Sequence, residues 1–449
     1  MTSPVRRAGA FAAVGSLALA VPLFEGAAAA PFAAIAALAV FSLEEGPVFE
    51  LFARPGERRE RRLYGLIGFT LAASGIALLS ALWAMPVGVG VGTILLVPYG
   101  NLAAQIVRTR VRAPVAIAGG YALGAGLACG VGQAVALQFS ASSVVGNLPE
   151  IVFLAASGAL LGALLRTLLF ESDEPHVMLT TGLGLWLLAE IGTDVGGIEV
   201  AVAVAVTVVV GYLSYVLDTA SVSGMLTGVL LGLVTIVLGG LGWFAVLITF
   251  FGVGGLSTKF RYEKKRQLGV AEGQSGARST ANVLANGAVG LVAVLAYAAV
   301  GIHWQVGQMV IPAGTIQPAV FLFAFVGSLA TAMSDTLSSE IGGVYDHVRL
   351  ITTLRPVDPG TDGGITWQGE LAGLCGAAVI AAVAYVVFGE LGPQGAVLVT
   401  AAGVVGMTVD SLLGATVEGK VVGNEGVNLL ATLSGAVVTG VGALALGLL

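Results

Sequence analysis

Apolar runs of about 17–25 residues recur from one end of this chain to the other, each long enough for a helix to cross a bilayer. Of the 449 residues, 57% are hydrophobic and 10% charged, and the mean hydropathy is +0.95. A soluble chain carries about 25% charged residues. The expected fold is therefore an all-α, polytopic membrane helical bundle. About fifteen spans are predicted, at Ala8–Phe24, Ala27–Leu43, Leu63–Ala84, Val87–Val107, Ala113–Phe139, Ile151–Leu165, Val177–Ile191, Val200–Leu217, Val222–Leu238, Leu241–Leu256, Val283–Ile302, Ala319–Ile341, Leu371–Phe388, Ala396–Leu413 and Val427–Leu449. The loops between them are too short to form domains of their own.

With these spans, all 20 Lys and Arg fall on one side of the membrane, at Arg6–Arg7, Arg54–Arg62, Arg108–Arg112, Arg166, Lys259–Arg278, Arg349–Arg355 and Lys420. The positive-inside rule makes that side cytoplasmic, with the N-terminus inside and the C-terminus outside. In a prokaryote the membrane is the plasma membrane. Arg6-Arg7 and the apolar stretch after them imitate a signal peptide, but a second span follows at once and retention is expected. Cys129 and Cys375 lie in spans and read as packing residues. The three histidines are scattered without metal-ligand spacing. A net charge of −6 with no basic domain excludes nucleic-acid binding.

The two parts of the chain differ in polar content. The N-terminal membrane region, 1–210, holds the Arg54–Arg62 run, Asn101, Gln105 and Glu190. The arginines read as a topology anchor. Asn101 and Gln105 share a helix face and read as interhelical hydrogen-bonding groups. In residues 211–449 polar groups gather at the cytoplasmic span ends, in three places. One is the loop after Leu256, with Lys259, Lys264, Lys265 and Arg278, followed by Asn282 and Asn286. It is either a phosphate-binding loop or an ordinary basic loop. Glu272, Asn282 and Asn286 at the membrane edge favour the former.

The second is A-T-A-M-S-D-T-L-S-S-E-I-G-G, with Asp335 and Glu340, leading into R-L-I-T-T-L-R-P-V-D-P-G-T-D-G-G. A charge inside a span costs about 2.5–3.5 kcal/mol on insertion scales, so such acids are functional candidates. Asp335 and Ser339 share a face and offer oxygens of the kind Mg²⁺ takes. Glu340 lies about 140° round a regular helix from Asp335 and reaches the same site only if the helix unwinds at Gly342-Gly343. Pairing of these acids with a Lys or Arg of another helix is the alternative. Thr352, Thr353, Gly360, Gly363 and Gly364 are candidate phosphate contacts, or parts of a plain turn. The third place is G-M-T-V-D-S-L-L-G-A-T, where Asp410 has Gly406 and Gly414 one turn away on either side. Asp410 reads as a second metal-binding or phosphate-positioning acid, with Asn424 and Asn428 following.

These motifs, with G-A-R-S-T-A-N-V-L-A-N-G and N-E-G-V-N-L-L-A-T, occur in the order found in the transmembrane protein 19 family, which the chain resembles from about Gly211 onward. Leu337 departs from the aromatic residue the family often has after D-T. Plastid members of the family include phytyl-phosphate kinase. The resemblance implies an enzyme that converts an isoprenoid monophosphate to its diphosphate with a nucleoside triphosphate, CTP in related lipid enzymes, and Mg²⁺. Asp335, Asp410 and Glu340 would be catalytic, with Asp335, Ser339 and Asp410 on the metal. The basic residues, Asn282, Asn286, Asn424 and Asn428 would hold phosphates. The N-terminal region is similar to polyprenol kinases in span spacing and in Asn101 and Gln105, as a degenerate relative would be. Two other readings remain: a cytidylyltransferase or polyprenol kinase of the same chemistry, and a transporter or lipid flippase.

Overall fold

A computed structural model describes residues 3–24, 27–140, 143–169, 173–192, 195–269, 278–302, 304–306 and 309–449. Glu272, Gly273 and Gly276 of the basic loop lie outside them. The chain divides into two compact units, 1–205 and 206–449. The first holds α1 Pro4–Gly15, α2 Val21–Phe24, α3 Ala30–Phe41, α4 Pro47–Phe52, α5 Glu57–Glu60, α6 Tyr64–Leu82, α7 Val87–Arg108, α8 Pro114–Phe139, α9 Leu148–Leu168 and α10 Glu174–Ile191. Helix α11, Gly197–Val216, runs across the division. The second holds α12 Val222–Gly239, α13 Leu241–Ser257, α14 Tyr262–Leu268, α15 Thr280–Ala299, α16 Pro318–Gly342, α17 Trp367–Val387, α18 Gly392–Thr416 and α19 Asn424–Ala445. Two short antiparallel pairs complete it: β1 Trp304–Val306 with β2 Met309–Ile311, and β3 Arg349–Leu350 with β4 Gly364–Ile365.

The protein is thus an all-α, multi-pass membrane protein. Among the described residues 12 helices are long and apolar enough to cross a bilayer, or 13 if α13 and α14, bent by 64°, form one span. Fifteen were expected, and the difference has local causes. The run at Ala27–Leu43 forms only the 12-residue α3, about 18 Å at 1.5 Å per residue against a hydrocarbon core of about 30 Å. Helix α10, bounded by Glu174 and Glu190, is not among the apolar spans.

In the first unit α7 is central and packs on α1, α6, α8, α9 and α10. Buried Cys129 sits in the α7–α8 seam, its sulfur against Gly92, as a packing residue does. In the second unit α16 is central, packed against α13, α15, α17, α18 and α19. Lipid is as apolar as leucine, so helices here associate by close packing rather than by hydrophobic exclusion. Small residues supply it. A Cβ on Gly373 of α17 would lie 2.9 Å from the Ser334 carbonyl, and one on Gly376 2.9 Å from that of Met333. A Cβ on Gly403 of α18 would lie 3.1 Å from the Ala330 carbonyl, and one on Gly435 of α19 2.8 Å from that of Gly327. Phe323, Phe325, Leu329 and Met333 fill the remaining space around α16 and are fully buried.

These contacts separate two glycines that look alike in sequence. Gly435→Ala forces α19 off the α16 backbone and is expected to cost about 1–3 kcal/mol. Gly252, inside α13, has open space where a Cβ would go, so Gly252→Ala is expected to be neutral or to stabilise by up to about 1 kcal/mol through helix propensity. Thermal unfolding of both variants in detergent checks the contrast.

Candidate functional site

Helices α12, α15 and α17 begin, and α13, α16 and α18 end, at the same end of the second unit. Hydroxyl caps start the first three: Ser221 accepts from the Gly224 N–H at 3.1 Å, Ser279 from Asn282 at 3.3 Å and Thr366 from Gly369 at 3.1 Å. Helix N-termini are partly positive and favour anions.

The acids Asp335 and Asp410 meet at this end, from α16 and α18, with their carboxyls hydrogen-bonded to one another. Thr331, one turn earlier on α16, donates to the Ala402 carbonyl of α18 at 3.4 Å, and Ser334 reaches Met407 Sδ at 3.4 Å. This register puts Asp335 opposite Asp410. Two carboxylates in contact repel unless a proton or a cation lies between them. Asp410 Oδ1 is moreover buried without a hydrogen-bond partner. An oxygen-only donor set with a spare buried carboxylate oxygen fits Mg²⁺, which takes one or two carboxylates and completes its shell with water and phosphate oxygens. Among the described residues no group of three or more His, Cys, Asp or Glu has metal-site geometry, so phosphate oxygens would have to supply part of that shell.

The segment between β3 and β4 is folded against these acids. Leu350 N–H bonds the Arg355 carbonyl at 3.0 Å, Ile351 bonds Gly363 at 3.0 Å and Arg349 Nη1 bonds Leu354 at 2.8 Å. Gly363, at φ +73°, docks on α18: a Cβ there would lie 2.5 Å from the Ser411 carbonyl. Both its handedness and its contact require glycine. Gly414 faces the Gly363 amide at 3.0 Å and Glu418 at 3.4 Å, measured from its added Cβ, so it receives this loop rather than a helix. Gly364 pairs with Leu350. Gly360, Thr352 and Thr353 are exposed, and Thr353 Oγ1 accepts from Arg355 N–H at 3.4 Å.

Glu340 goes elsewhere. Helix α16 stays helical through Gly342, so Glu340 and Asp335 keep different faces. Glu340 pairs with Lys265 of α14. Lys265 is buried and also donates to the Thr258 carbonyl at 2.8 Å and weakly to Ser257 at 3.5 Å, capping the end of α13. The pair fastens the bent α13–α14 segment to α16, and this geometry corrects the expectation that Glu340 joins Asp335. Ser339 is exposed and its hydroxyl donates to the Thr336 carbonyl at 3.1 Å, back onto its own helix. Lys259 donates to the Asp218 carbonyl at 2.8 Å, and Lys264 lies 3.8 Å from Asp346. Asn286 is buried and bonds the Asn282 carbonyl at 3.0 Å. Asn424 opens α19, and the Asn428 carbonyl accepts from Thr432 at 3.0 Å.

Arg278 is buried, with its guanidinium 5.0 Å from the Phe250 ring centroid. A Cβ on Gly254 would lie 2.8 Å from Arg278 Nη2 and 3.5 Å from Thr336. Arg278 thus stands beside the turn of α16 that carries Asp335. It also lines a cavity of about 220 Å³ whose other walls are mainly apolar, among them Met225, Phe244, Leu247 and Phe251, with Thr207, Ser214 and Thr219 as the polar exceptions. One water needs about 10–15 Å³, so this is more than a packing defect. Leu213, Leu217 and Leu256 border it and are exposed.

Sequence reasoning missed Glu418 and Gln368. Gln368 Oε1 is buried without a partner at the start of α17, next to Gly369, which abuts the Ser338 carbonyl. Burial first, then the charges of Asp362, Asp410 and Glu425, raise the Glu418 carboxyl above the ordinary glutamate range. Neither residue interrupts an apolar run, so neither carried a signal.

Comparison with known proteins places the second unit. The family described as integral membrane protein DUF92 matches residues 205–440, a stretch that contains every motif of the transmembrane protein 19 resemblance. An uncharacterised membrane protein of Methanocaldococcus jannaschii is 35% identical over 218 residues, 48% of this chain and 82% of that one. One from Synechocystis is 32% identical over 203 residues, 44% and 73% of the two chains. The chloroplast protein VTE6 of Arabidopsis thaliana is 32% identical over 223 residues, 49% of this chain and 63% of its own length. No solved structure matches.

Two expectations follow from the geometry. Breaking the Lys265–Glu340 pair from one side, by Lys265→Met or Glu340→Leu, leaves a buried charge and is expected to cost about 3–5 kcal/mol, whereas the double variant loses much less. A double-mutant cycle by thermal unfolding measures this. For Glu418, a raised carboxyl holds its proton more tightly folded than unfolded. It favours the fold at low pH and loses that contribution as pH rises through the folded value. Glu418→Gln is therefore expected to be more stable than the parent at pH 8 in metal-free buffer, with the difference gone near pH 4, as melting curves at the two pH values will show.

Proposed function

Because this chain belongs to the integral membrane protein DUF92 family, we propose that it is a membrane kinase that phosphorylates an isoprenoid monophosphate to the diphosphate. The observation that carries this reading is the facing pair Asp335 and Asp410 beside Arg278, where a lipid-bordered apolar cavity ends in a buried cation. The cavity suits a prenyl tail, and Arg278 at its end suits the monophosphate, since guanidinium forks match phosphate oxygens. The resemblance to a family with a phytyl-phosphate kinase among its plastid members, and the chloroplast relative, support the same chemistry.

In this reading phosphoryl transfer needs positioning and charge neutralisation more than covalent help from the protein. An oxygen of the acceptor phosphate forms a bond to the γ-phosphorus of a nucleoside triphosphate. The β–γ bridging P–O bond breaks, and the nucleoside diphosphate leaves with the electron pair. The acceptor is ionised at neutral pH, so no general base has to remove a proton, in keeping with the lack of histidine among the residues gathered here. Asp335 and Asp410 would hold Mg²⁺, which would spread the negative charge of the donor phosphates. Lys259, Lys264 and the start of α15 with Asn282 and Asn286 would receive the donor phosphates, CTP by the resemblance. We assign the site to the cytoplasmic side, where nucleotide is available, on the clustering of basic residues there.

The test uses the purified chain in detergent with Mg²⁺, radiolabelled CTP or ATP and geranylgeranyl or phytyl monophosphate, with products separated by thin-layer chromatography. Labelled diphosphate is expected, with a loss of about 100-fold or more in Asp335→Asn and Asp410→Asn. A labelled cytidine-lipid would instead assign cytidylyl transfer, and absence of product with every donor and acceptor would overturn the reading.

A further inference from the structure

The apolar cavity that ends at Arg278 has a floor as well as a mouth. Helices α11, α12 and α13 wall it along most of its length, and Val210, Met225 and Leu247 are among its lining. At the end away from Arg278 the three helices converge on Gly232 of α12. A Cβ there would lie 3.0 Å from Thr207 Cγ2 of α11 and 3.1 Å from Phe244 Cε2 of α13. Thr207 and Phe244 are both buried and both line the cavity, so they close it against Gly232. One turn nearer Arg278 the space opens. Gly228 shares a face of α12 with Gly232, lines the cavity and has nothing within 4 Å of where a Cβ would go. Gly252 of α13 is open in the same way. The seam between α11 and α12 is shut beside them, since a Cβ on Gly211 would collide with Val229.

The other end is held equally firmly. Ser221 N–H bonds the Arg278 carbonyl at 3.1 Å, and Arg278 N–H bonds that of Thr219 at 3.0 Å. These bonds pin the turn between α11 and α12 to the residues leading into α15. Two hydroxyls of the lining are turned back to the backbone: Ser214 donates to the Gly211 carbonyl at 2.7 Å and Thr219 to that of Ser214 at 2.9 Å. They are satisfied within the chain and ask nothing polar of an occupant. Two fixed ends give the cavity a fixed length. At about 1.5 Å per residue, Thr207 to Leu217 spans about 15 Å and Phe244 to Leu256 about 18 Å, roughly one leaflet of the hydrocarbon core.

We propose that Phe244, backed by Thr207 and Gly232, gauges the length of the acceptor's tail. An extended carbon chain advances about 1.3 Å per bond, so the cavity admits isoprenoid monophosphates of about three to four units. A longer tail must fold back or displace Phe244, and a much shorter one leaves apolar lining unfilled. The inference rests on the kinase reading for the identity of the acceptor, whereas the length limit comes from the cavity walls.

The test measures binding and turnover separately. The full chain in phosphatidylcholine nanodiscs is titrated with geranyl, geranylgeranyl and hexaprenyl monophosphates without nucleotide, and the shift of the unfolding midpoint gives the apparent affinity. With Mg²⁺ and CTP or ATP the same compounds give kcat/KM. Geranylgeranyl monophosphate is expected to bind about tenfold or more tightly than either of the others, since even one methylene in an apolar pocket is worth about tenfold or more. Phe244→Ala deepens the cavity and is expected to cut the preference over the hexaprenyl compound by about tenfold. Gly228→Leu fills the open space and is expected to move the preference toward the geranyl compound by about the same factor. Should Phe244→Ala fail to fold, Gly228→Leu, whose side chain enters empty space, carries the test. Length preferences that are absent, or equal in the parent and the variants, overturn the gauge whether or not product forms. Length-dependent binding that follows the variants, with no product from any donor, leaves the gauge standing and overturns the kinase reading. Neither binding nor turnover overturns both.

Discussion

The acids of the second unit meet because three helices come unusually close to α16. With a side chain at Gly373, Gly376, Gly403 or Gly435, the backbones of α17, α18 and α19 would be pushed outward by contacts of about 3 Å or less. Asp335 carries a short side chain and cannot bridge a wide interhelical gap. The glycine seams therefore decide whether Asp335 and Asp410 touch. A bilayer offers little hydrophobic drive between helices, so this close packing holds the unit together as well as forming the site. Scaffold and site draw on the same residues.

Two pairs of charged groups at this end show how differently a membrane protein can use burial. Lys265 and Glu340 neutralise one another, and the lysine also serves two carbonyls at the end of α13. Every charge is answered from within, as a structural clamp requires. Asp335 and Asp410 are of like sign, and one oxygen of Asp410 has no partner. That arrangement is unfavourable by itself, and it becomes favourable when a cation or a proton is present. Unfinished electrostatics of this kind marks a place where something else binds, whereas the Lys265–Glu340 pair is complete.

Much of this was legible in the sequence. Asp335 and Asp410 interrupt apolar runs, and an acid in such a run is visible without any tertiary information. So were the basic loops and the gathering of polar groups at span ends. What was not legible depends on partners far away in the chain. Lys265 lies 75 residues from Glu340 and Asn101 73 residues from Glu174, and no local pattern joins them. The Arg349–Ile365 segment reads as a turn, but the pairing of β3 with β4 and the docking of Gly363 on α18 are contacts that no local pattern shows. The count of about fifteen spans is compatible with the 12 or 13 among the described residues, and the remainder reflects that hydropathy alone does not measure the length of a helix such as the 12-residue α3.

The depth of the polar groups bears on what kind of protein this is. In transporters the substrate site lies near the bilayer midplane, where broken helices expose backbone groups to the cargo. Along the middle of the second unit the buried polar side chains are chiefly hydroxyls bonded to their own helices: Ser328 to Phe325 at 2.7 Å, Thr439 to Gly435 at 2.9 Å and Thr432 to Asn428 at 3.0 Å. Such hydroxyls are satisfied without a ligand, and α16 runs unbroken from Pro318 to Gly342 past them. The groups left wanting a partner, Asp410 Oδ1 and Gln368 Oε1, are at one end. An apolar cavity leading to a buried arginine at that same end lets a lipid keep its tail among the helices while its head meets a water-borne reactant. That geometry is the one the proposed kinase requires, and it differs from the midplane site of a carrier.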